Sequence, residues 1–535
     1  MTASSRFVAG VYATLCAWGL SSAVAQEAGA PRRSLLKPPP AIVSLAFAPR
    51  AAAERDPAPD PELFAPFEAS PITTIQPSYA APLDERDFAF DALEPPQRAL
   101  ALALDDWRRG GRGAERRRGR NAILEVYAAR SFEPLWQVGG AWSEAAQAVT
   151  RRLREAADDG LDLRVYKIPA TETAARLEDE FSLSEAVAAY VAQASGSRVD
   201  PERISRLIAA RPPLPDAGAA LKRLAAQGFA AGDALRDYNP PHYGYQQLRG
   251  KLAELRAHHS LDGVDTLAAA ETADDPLDDS LSAAKRAARR KKAAEMSPSR
   301  LEAEILANME RWRWLPRDLG AAHVEVNIPE FELAVVRDGS VTHRARVIVG
   351  KEGTPTPVFS SGMESVIVNP SWYVPQSIIR NELLPKHGGN LSGLSARGWK
   401  VSYAHGKLMV RQPPGEDNAL GRVKFIFPND FAVYMHDTPS RGLFASARRA
   451  FSHGCMRVED PFALAVAVLG PGSGWSEERV RKLVGASERY INLTPPLPVH
   501  VEYFTAFVDD YGRLALREDL YGYSARVRRE LGFGG

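Results

Sequence analysis

Phe431-Ala432-Val433-Tyr434-Met435-His436-Asp437-Thr438-Pro439 and, after a short interval, Ser452-His453-Gly454-Cys455-Met456-Arg457-Val458 form the most informative stretch of this 535-residue chain. Two histidines and a cysteine fall within about twenty residues there. A thiol with a pKa near 8.5 is mostly protonated at neutral pH, so it needs an imidazole to take its proton or an imidazolium to hold the thiolate. Gly454 lets the backbone turn tightly beside the thiol, and N–H groups in such a turn can face a developing oxyanion. A zinc site is the competing reading. It fails on ligand count, because His436, His453 and Cys455 would have to borrow a fourth ligand from a remote residue. A buried, inert thiol is the other alternative, and a polar His-Gly pair beside it makes a poor core pattern.

Only two cysteines occur in the whole chain. Arg6, the apolar run Phe7 to Leu20 and the small residues Ala23-Val24-Ala25 predict a signal peptide over 1–25, cleaved before Gln26 and removing Cys16. About fourteen apolar residues fall short of the roughly 20 that a spanning helix needs, and no later segment is apolar enough to span. The expected product is an exported protein with no transmembrane span, whose unpaired Cys455 is flagged as reactive. A formal net charge of +1 with 25% charged residues gives no field that selects nucleic acid or an anionic membrane.

The length calls for more than one hydrophobic core. Residues 26–97 are rich in proline without apolar periodicity and read as a disordered or extended tether. Over 98–258 apolar residues recur at three and four, as in Ala146, Val149, Leu153 and Ala156, predicting a helical domain. The basic run Arg108 to Arg120 within it reads as a solvated loop. Residues 259–298 concentrate first acid and then base and read as a linker. A connecting helix in 299–321 is expected to start at an N-cap on Ser299 with Glu302 three residues on, and Pro316 lies beyond its end. From Val324 the period becomes two, predicting a mainly β domain over 322–475, with a helix and strand extension over 476–535.

The arrangement of His436, a spacer, Ser452-His453-Gly454-Cys455 and Arg457 resembles the L,D-transpeptidases with a YkuD-type catalytic domain, and within them the large periplasmic enzymes of the YcbB type. Similar stretches run through Ile305 to Pro316, Val326 to Pro329, Val349-Gly350-Lys351, Thr356 to Phe359, Gln412 to Gly415 and Asn418 to Gly421. The resemblance covers Ser299 to Tyr521 closely. The region around Pro134-Leu135-Trp136 and Asp159-Gly160-Leu161 is similar, less specifically, to that subfamily's scaffold domain.

The resemblance implies an α+β multidomain chain, a helical scaffold domain plus a mainly β catalytic domain, working in the periplasm on peptidoglycan stem peptides without cofactor or metal. It implies Cys455 as nucleophile and His436 as base. Ser452, His453 and Gly454 would shape the oxyanion turn, and Arg457 would orient that turn or the substrate carboxylate. Trp399, Tyr403, Tyr434 and Asn418 are expected at the substrate, and cell-wall synthesis proteins are expected partners. The insert 377–405, long for a loop, resembles the family's capping loop. No counterpart of the peptidoglycan-binding module of such relatives is visible near the linker. Hydrolysis alone, as a carboxypeptidase or cysteine peptidase, and a non-catalytic wall-binding scaffold are the alternative functions.

Overall fold

A computed structural model describes residues 90, 93–111, 113–210, 212, 214–259, 261, 264, 297–404 and 406–534. The expected signal peptide, nearly all of the tether and most of the charged linker lie outside them. Among the described residues no helix is long and apolar enough to cross a membrane.

The first half is helical, as its periodicity predicts. Its long helices are Pro95–Arg109, Ala114–Ala128, Glu144–Arg154, Leu177–Ala194 and Tyr243–His258. Pro95 and Pro96 open the first, where a missing N–H costs nothing. Ser143 caps the third by accepting from Ala146 N–H at 3.1 Å. The basic run is not a solvated loop. Most of it is helical, and Arg116 and Arg120 both pair with the buried Glu185, at 2.7 and 3.0 Å. Long-range pairing to helix Leu177–Ala194 is what a local reading of charge could not supply.

The second half is built on one mixed sheet. Its strands, in chain order, are β1 (Ile208–Ala209), β2 (Ala322–Asn327), β3 (Glu332–Arg337), β4 (Ser340–Gly350), β5 (Val358–Val368), β6 (Val423–Ile426), β7 (Met435–His436), β8 (Ala450–Ser452), β9 (Met456–Val458) and β10 (Arg489–Glu502). They lie in the order β6-β7-β9-β4-β3-β2-β10-β5-β1, with β8 beside β4. Strand β6 also pairs antiparallel with β5 through Val423↔Val368 and Phe425↔Val366, closing the sheet into a barrel. Alternation sends Val324, Val326, Val423, Phe425, Met435 and Met456 into the closed core. Strand β10 corrects the expected boundary at residue 475. It lies between β2 and β5 as a full member of the barrel, pairing Val499↔Val324 with one and Ile491↔Val366 with the other. Pro495, Pro496 and Pro498 disguise it, since proline argues against a central strand.

Strand β1 belongs to the helical half in sequence yet pairs with β5 through Ile208↔Val358. The two halves are further joined by helix Pro298–Trp312, capped by Ser297 and not by Ser299, with Pro298 at the first helical position. Just beyond it, the fully buried Arg313 donates to the carbonyl of Asp159 at 2.6 Å and pairs with buried Glu310 at 3.1 Å. Asp159, itself 0% exposed, takes Tyr190 O–H at 2.5 Å and pairs with Arg152.

Removing one member of a buried, hydrogen-bonded ion pair strands the other charge, at a cost of about 3–5 kcal/mol. Arg313→Met is therefore expected to destabilise the chain by that amount, read as a lowered midpoint in chemical unfolding, while an exposed control such as Arg513→Met stays within about 0.5 kcal/mol.

Candidate active site

Parallel pairing of β7 with β9 sets Met435 beside Met456 and His436 beside Arg457. Met456 N–H donates to Tyr434 O at 3.1 Å, so Cys455 stands next to Tyr434. Because strand side chains alternate, Tyr434, His436, Cys455 and Arg457 share the face opposite the one that Met435 and Met456 bury in the core. Lys424 pairs with His436 from β6 and joins them on that outer face.

The turn carrying the thiol is fixed by short polar contacts. Ser452 Oγ donates to Cys455 O at 2.5 Å and accepts from Gly454 N–H at 3.2 Å. Thr356 Oγ1 donates to Gly454 O at 2.8 Å, and Gly350 N–H donates to Thr356 at 2.9 Å. Gly454 holds φ +114°, a conformation that L side chains rarely adopt. Thus Ser452 and Gly454 act on the shape of the turn. His453 points elsewhere: its Nε2 lies 2.8 Å from Glu382 Oε1 and 3.4 Å from Lys351 Nζ.

His436 is 5% exposed. Its Nδ1 bonds the Asp437 carbonyl at 2.5 Å, so that nitrogen carries the proton and Nε2 keeps its lone pair. Burial, then the positive charge of Arg457, pull the imidazole down to about 3, against the Asp437 carbonyl. The Asp437 carboxylate fixes the segment, accepting Arg422 N–H at 2.8 Å and Thr438 N–H at 2.7 Å. A side chain at Gly421 would bring Cβ within 2.3 Å of Asp437, which glycine alone avoids. Burial likewise pushes the Cys455 thiol up, opposed by hydrogen bonds from the Tyr434 backbone and phenol and by the charges of Lys424 and Arg457. The resting pair is a neutral thiol beside a neutral imidazole. Among the described residues no group of three or more His, Cys, Asp or Glu is placed to hold a metal.

A small subdomain meets the turn of the thiol through Glu382 and His453. Strand Trp372–Tyr373 pairs with Lys407–Gln412, which pairs with Lys400–Ala404, so the inserted unit is wider than the expected 377–405. It has its own core of Val374, Ile379, Leu391, Leu394 and Val410. Trp399 packs on that core and meets Trp372 edge to face at 6.1 Å, while Tyr403 stands 79% exposed. Glu382 lies in a π-helical turn, Ile379–Leu383. Asn418 is buried, and its amide donates to the carbonyls of Pro370, Gln412 and Pro413. In this structure it braces the base of the subdomain.

Sequence reading missed Lys424, Trp372 and Glu382. Lys424 alone left a signal, a cation at the outward position of Val423-Lys424-Phe425, which reads as an ordinary surface residue.

Residues 321–481 match the family model of the L,D-transpeptidase catalytic domain (YkuD), and residues 121–252 match that of the Scaffold domain. The chain carries a YkuD-type L,D-transpeptidase catalytic domain and a Scaffold domain. A Haemophilus influenzae protein named "Putative L,D-transpeptidase" is 34% identical over 248 residues, which are 43% of this chain and 50% of that one. The match spans about half the length of that curated relative. Among solved structures, an L,D-transpeptidase from Mycobacterium smegmatis is 15% identical, covering 34% of this chain and 58% of its own, with a TM-score of 0.19. L,D-transpeptidase 3 from Mycobacterium tuberculosis, in complex with a faropenem-derived adduct, is 16% identical, covering 34% and 60%, with a TM-score of 0.18. The family models and the Haemophilus protein carry the assignment, not these distant likenesses. The L,D-transpeptidase domain contains every residue of the face just described.

A thiol whose pKa is raised stays mostly protonated through the ordinary cysteine range near 8.5, and its small thiolate fraction grows with each step in pH below that point. Alkylation of Cys455 by iodoacetamide should therefore rise steadily across pH 6–9. The imidazole, neutral down to about pH 3, should add no ionisation between pH 5 and 8. A plateau below pH 7 would instead mark a preformed thiolate–imidazolium pair.

Proposed function

We propose that the chain is a periplasmic cysteine L,D-transpeptidase that forms 3-3 cross-links in peptidoglycan. The observation that carries this reading is one shared face: Cys455 immediately precedes β9, His436 lies on the neighbouring β7, and His436 Nδ1 is committed to a carbonyl so that Nε2 is left to act as base.

In the proposed reaction Cys455 attacks the carbonyl between the diamino acid at stem position three and the D-alanine at position four. His436 Nε2 takes the thiol proton during attack and returns it to the departing amine, which suits a neutral imidazole beside a neutral thiol. D-Alanine leaves and a thioester to Cys455 remains. The side-chain amine of a second stem attacks that thioester, its proton passes back through His436, and the thiol is regenerated. Water in place of the amine would give carboxypeptidase activity. Gly454 N–H is turned onto Ser452, and the N–H of Cys455 is proposed to receive the oxyanion. His453 holds the lid through Glu382, which favours His436 as the base.

The subdomain around 377–405 is proposed as a substrate lid that contributes no nucleophile or base. Trp399 and Tyr403 would act from it on the peptide, and Tyr434 from the strand beneath.

Cys455→Ala should abolish both cross-linked dimers from disaccharide-tetrapeptides and the carbapenem adduct seen by mass spectrometry. His436→Ala should slow acylation by about 10²–10⁴-fold, as for loss of a general base, with the fold unchanged by circular dichroism. Release of D-alanine without dimers from the wild type would move the assignment to a carboxypeptidase, and a thiol that never acylates would leave only a scaffold.

Replacing 377–405 by a short Gly/Ser turn should raise KM for the stem peptide while Cys455 still reacts with iodoacetamide. Loss of both reactions in a folded variant would make the segment part of the active-site framework.

A further inference from the structure

The helical half, the end of helix Pro298–Trp312 with the loop after it, and strands β5 and β10 together line a cavity of about 550 Å³. It shares no residue with the catalytic face. Its walls are largely apolar, Trp314, Phe359 and Phe504 among them, and its volume is that of sites that take small organic molecules. Ala209 of β1 and Ser360 of β5 stand exposed at its mouth.

Polar atoms in the lining lack protein partners. Arg311 is buried, and its Nη1 donates to Asn308 at 2.9 Å and Thr505 at 3.3 Å. Its Nε and Nη2 have no hydrogen-bond partner among the described residues. The acids on its own helix that lie nearest, Glu304 and Glu310, are paired with Arg528 and Arg313. The fields of Glu304 and Asp519 reach Arg311, and the Tyr503 ring lies 5.4 Å from its guanidinium, yet burial outweighs them and pulls its pKa below the ordinary value. The indole N–H groups of Trp312 and Trp314 are likewise unpartnered. Glu502 does not supply the missing charge, because burial, with the charge of Glu325 adding to it, keeps its carboxyl protonated.

The balance of the lining is therefore positive and rich in donors. Asp237 at the exposed rim is its ionised acid, against Arg223, Arg311, Arg313 and Arg317. Arg317 bonds the backbone carbonyls of Asp237, Tyr238 and Asn239 at 2.7–2.9 Å, which leaves its charge uncompensated. The unpartnered acceptors are Glu502 Oε1 and His242 Nδ1. A buried cation without countercharge and buried donors without acceptors are costly. Water meets a donor, but it brings no charge and leaves the aromatic walls wet.

We propose that this cavity is a binding site, separate from the catalytic face, for a small organic carboxylate with an apolar body. Arg311 supplies the countercharge through a charge-assisted hydrogen bond, the two indoles are further donors, and neutral Glu502 can donate its O–H to the same head. The apolar body lies against the aromatic wall. The arginines oppose a cationic ligand, and a neutral one leaves Arg311 unmet. Because the walls come from both halves of the chain, the occupant ties the Scaffold region to the barrel. None of this depends on the chemistry at Cys455.

Titration calorimetry of the full-length protein with 4-phenylbutyrate, its primary amide and 4-phenylbutylamine tests the site. The acid should bind about 10- to 100-fold more tightly than the amide, the range for one charge-assisted hydrogen bond, and the amine should not bind. Arg311→Met should bring acid and amide to one affinity. Ala209→Trp, a change at an exposed position, should block the mouth and abolish binding with circular dichroism unchanged, which keeps the test decisive if Arg311→Met does not fold. The acid should leave the rate of Cys455 alkylation by iodoacetamide as it was. Equal affinity for acid and amide in the wild type, no binding of the acid, full binding in a folded Ala209→Trp, or protection of Cys455 by the acid would each overturn the proposal.

Discussion

Closure of the strand ring is the constraint on which the site depends. Strand β6 is shared between β5 and β7, and this double pairing lines up the rungs Lys424–His436–Arg457 across three strands. One face of those strands is fixed by Val423, Phe425, Met435, Met456 and Val458 in the core. Since a strand alternates sides, a slip of one residue would exchange core and site entirely. Specification of the core therefore also specifies which residues surround the thiol.

Electrostatics on that face run against the usual image of an activated cysteine. Burial holds the thiol protonated and the imidazole neutral, while Lys424 and Arg457 supply positive field. A neutral pair costs less to bury than an ion pair, and a positive surround favours negative charge when it develops during attack. Such a surround suits the charge of the reaction proposed above more than that of the empty site.

Much of this was legible in the sequence, and the divide follows the range of each interaction. Cys455 and His436 stood out as candidates because their chemistry is written within one short segment, and the fold brings them to one face. The helices of the first half and strands such as β2 and β3 announced themselves by period. Helix Pro298–Trp312 was visible, but its cap was placed at Ser299 because the Ser-x-x-Glu pattern outweighed the proline that marks the true start. What was hidden depends on distant partners. Strand β1 is two residues long and has no period to detect. Strand β10 carries prolines that read as a loop. Arg116 and Arg120 look solvated until Glu185 arrives from another helix. Lys424 looks like a surface residue until its place beside His436 and over the Tyr434 ring is seen, and Asn418 looks like a ligand-binding amide until its hydrogen bonds are traced to backbone carbonyls.

The position of β10 also sets an order of events. This strand lies between β2 and β5, yet it follows Cys455 in the chain. A growing or clipped polypeptide that ends before residue 489 would hold its thiol on a sheet with two raw edges, β2 and β5, each open to pairing with other chains. Pairings between residues so far apart in sequence form slowly. Cys455 thus precedes in the chain the strand that completes the ring. Strand β10 joins β2 to β5 and so completes the ring that carries Lys424, His436 and Arg457.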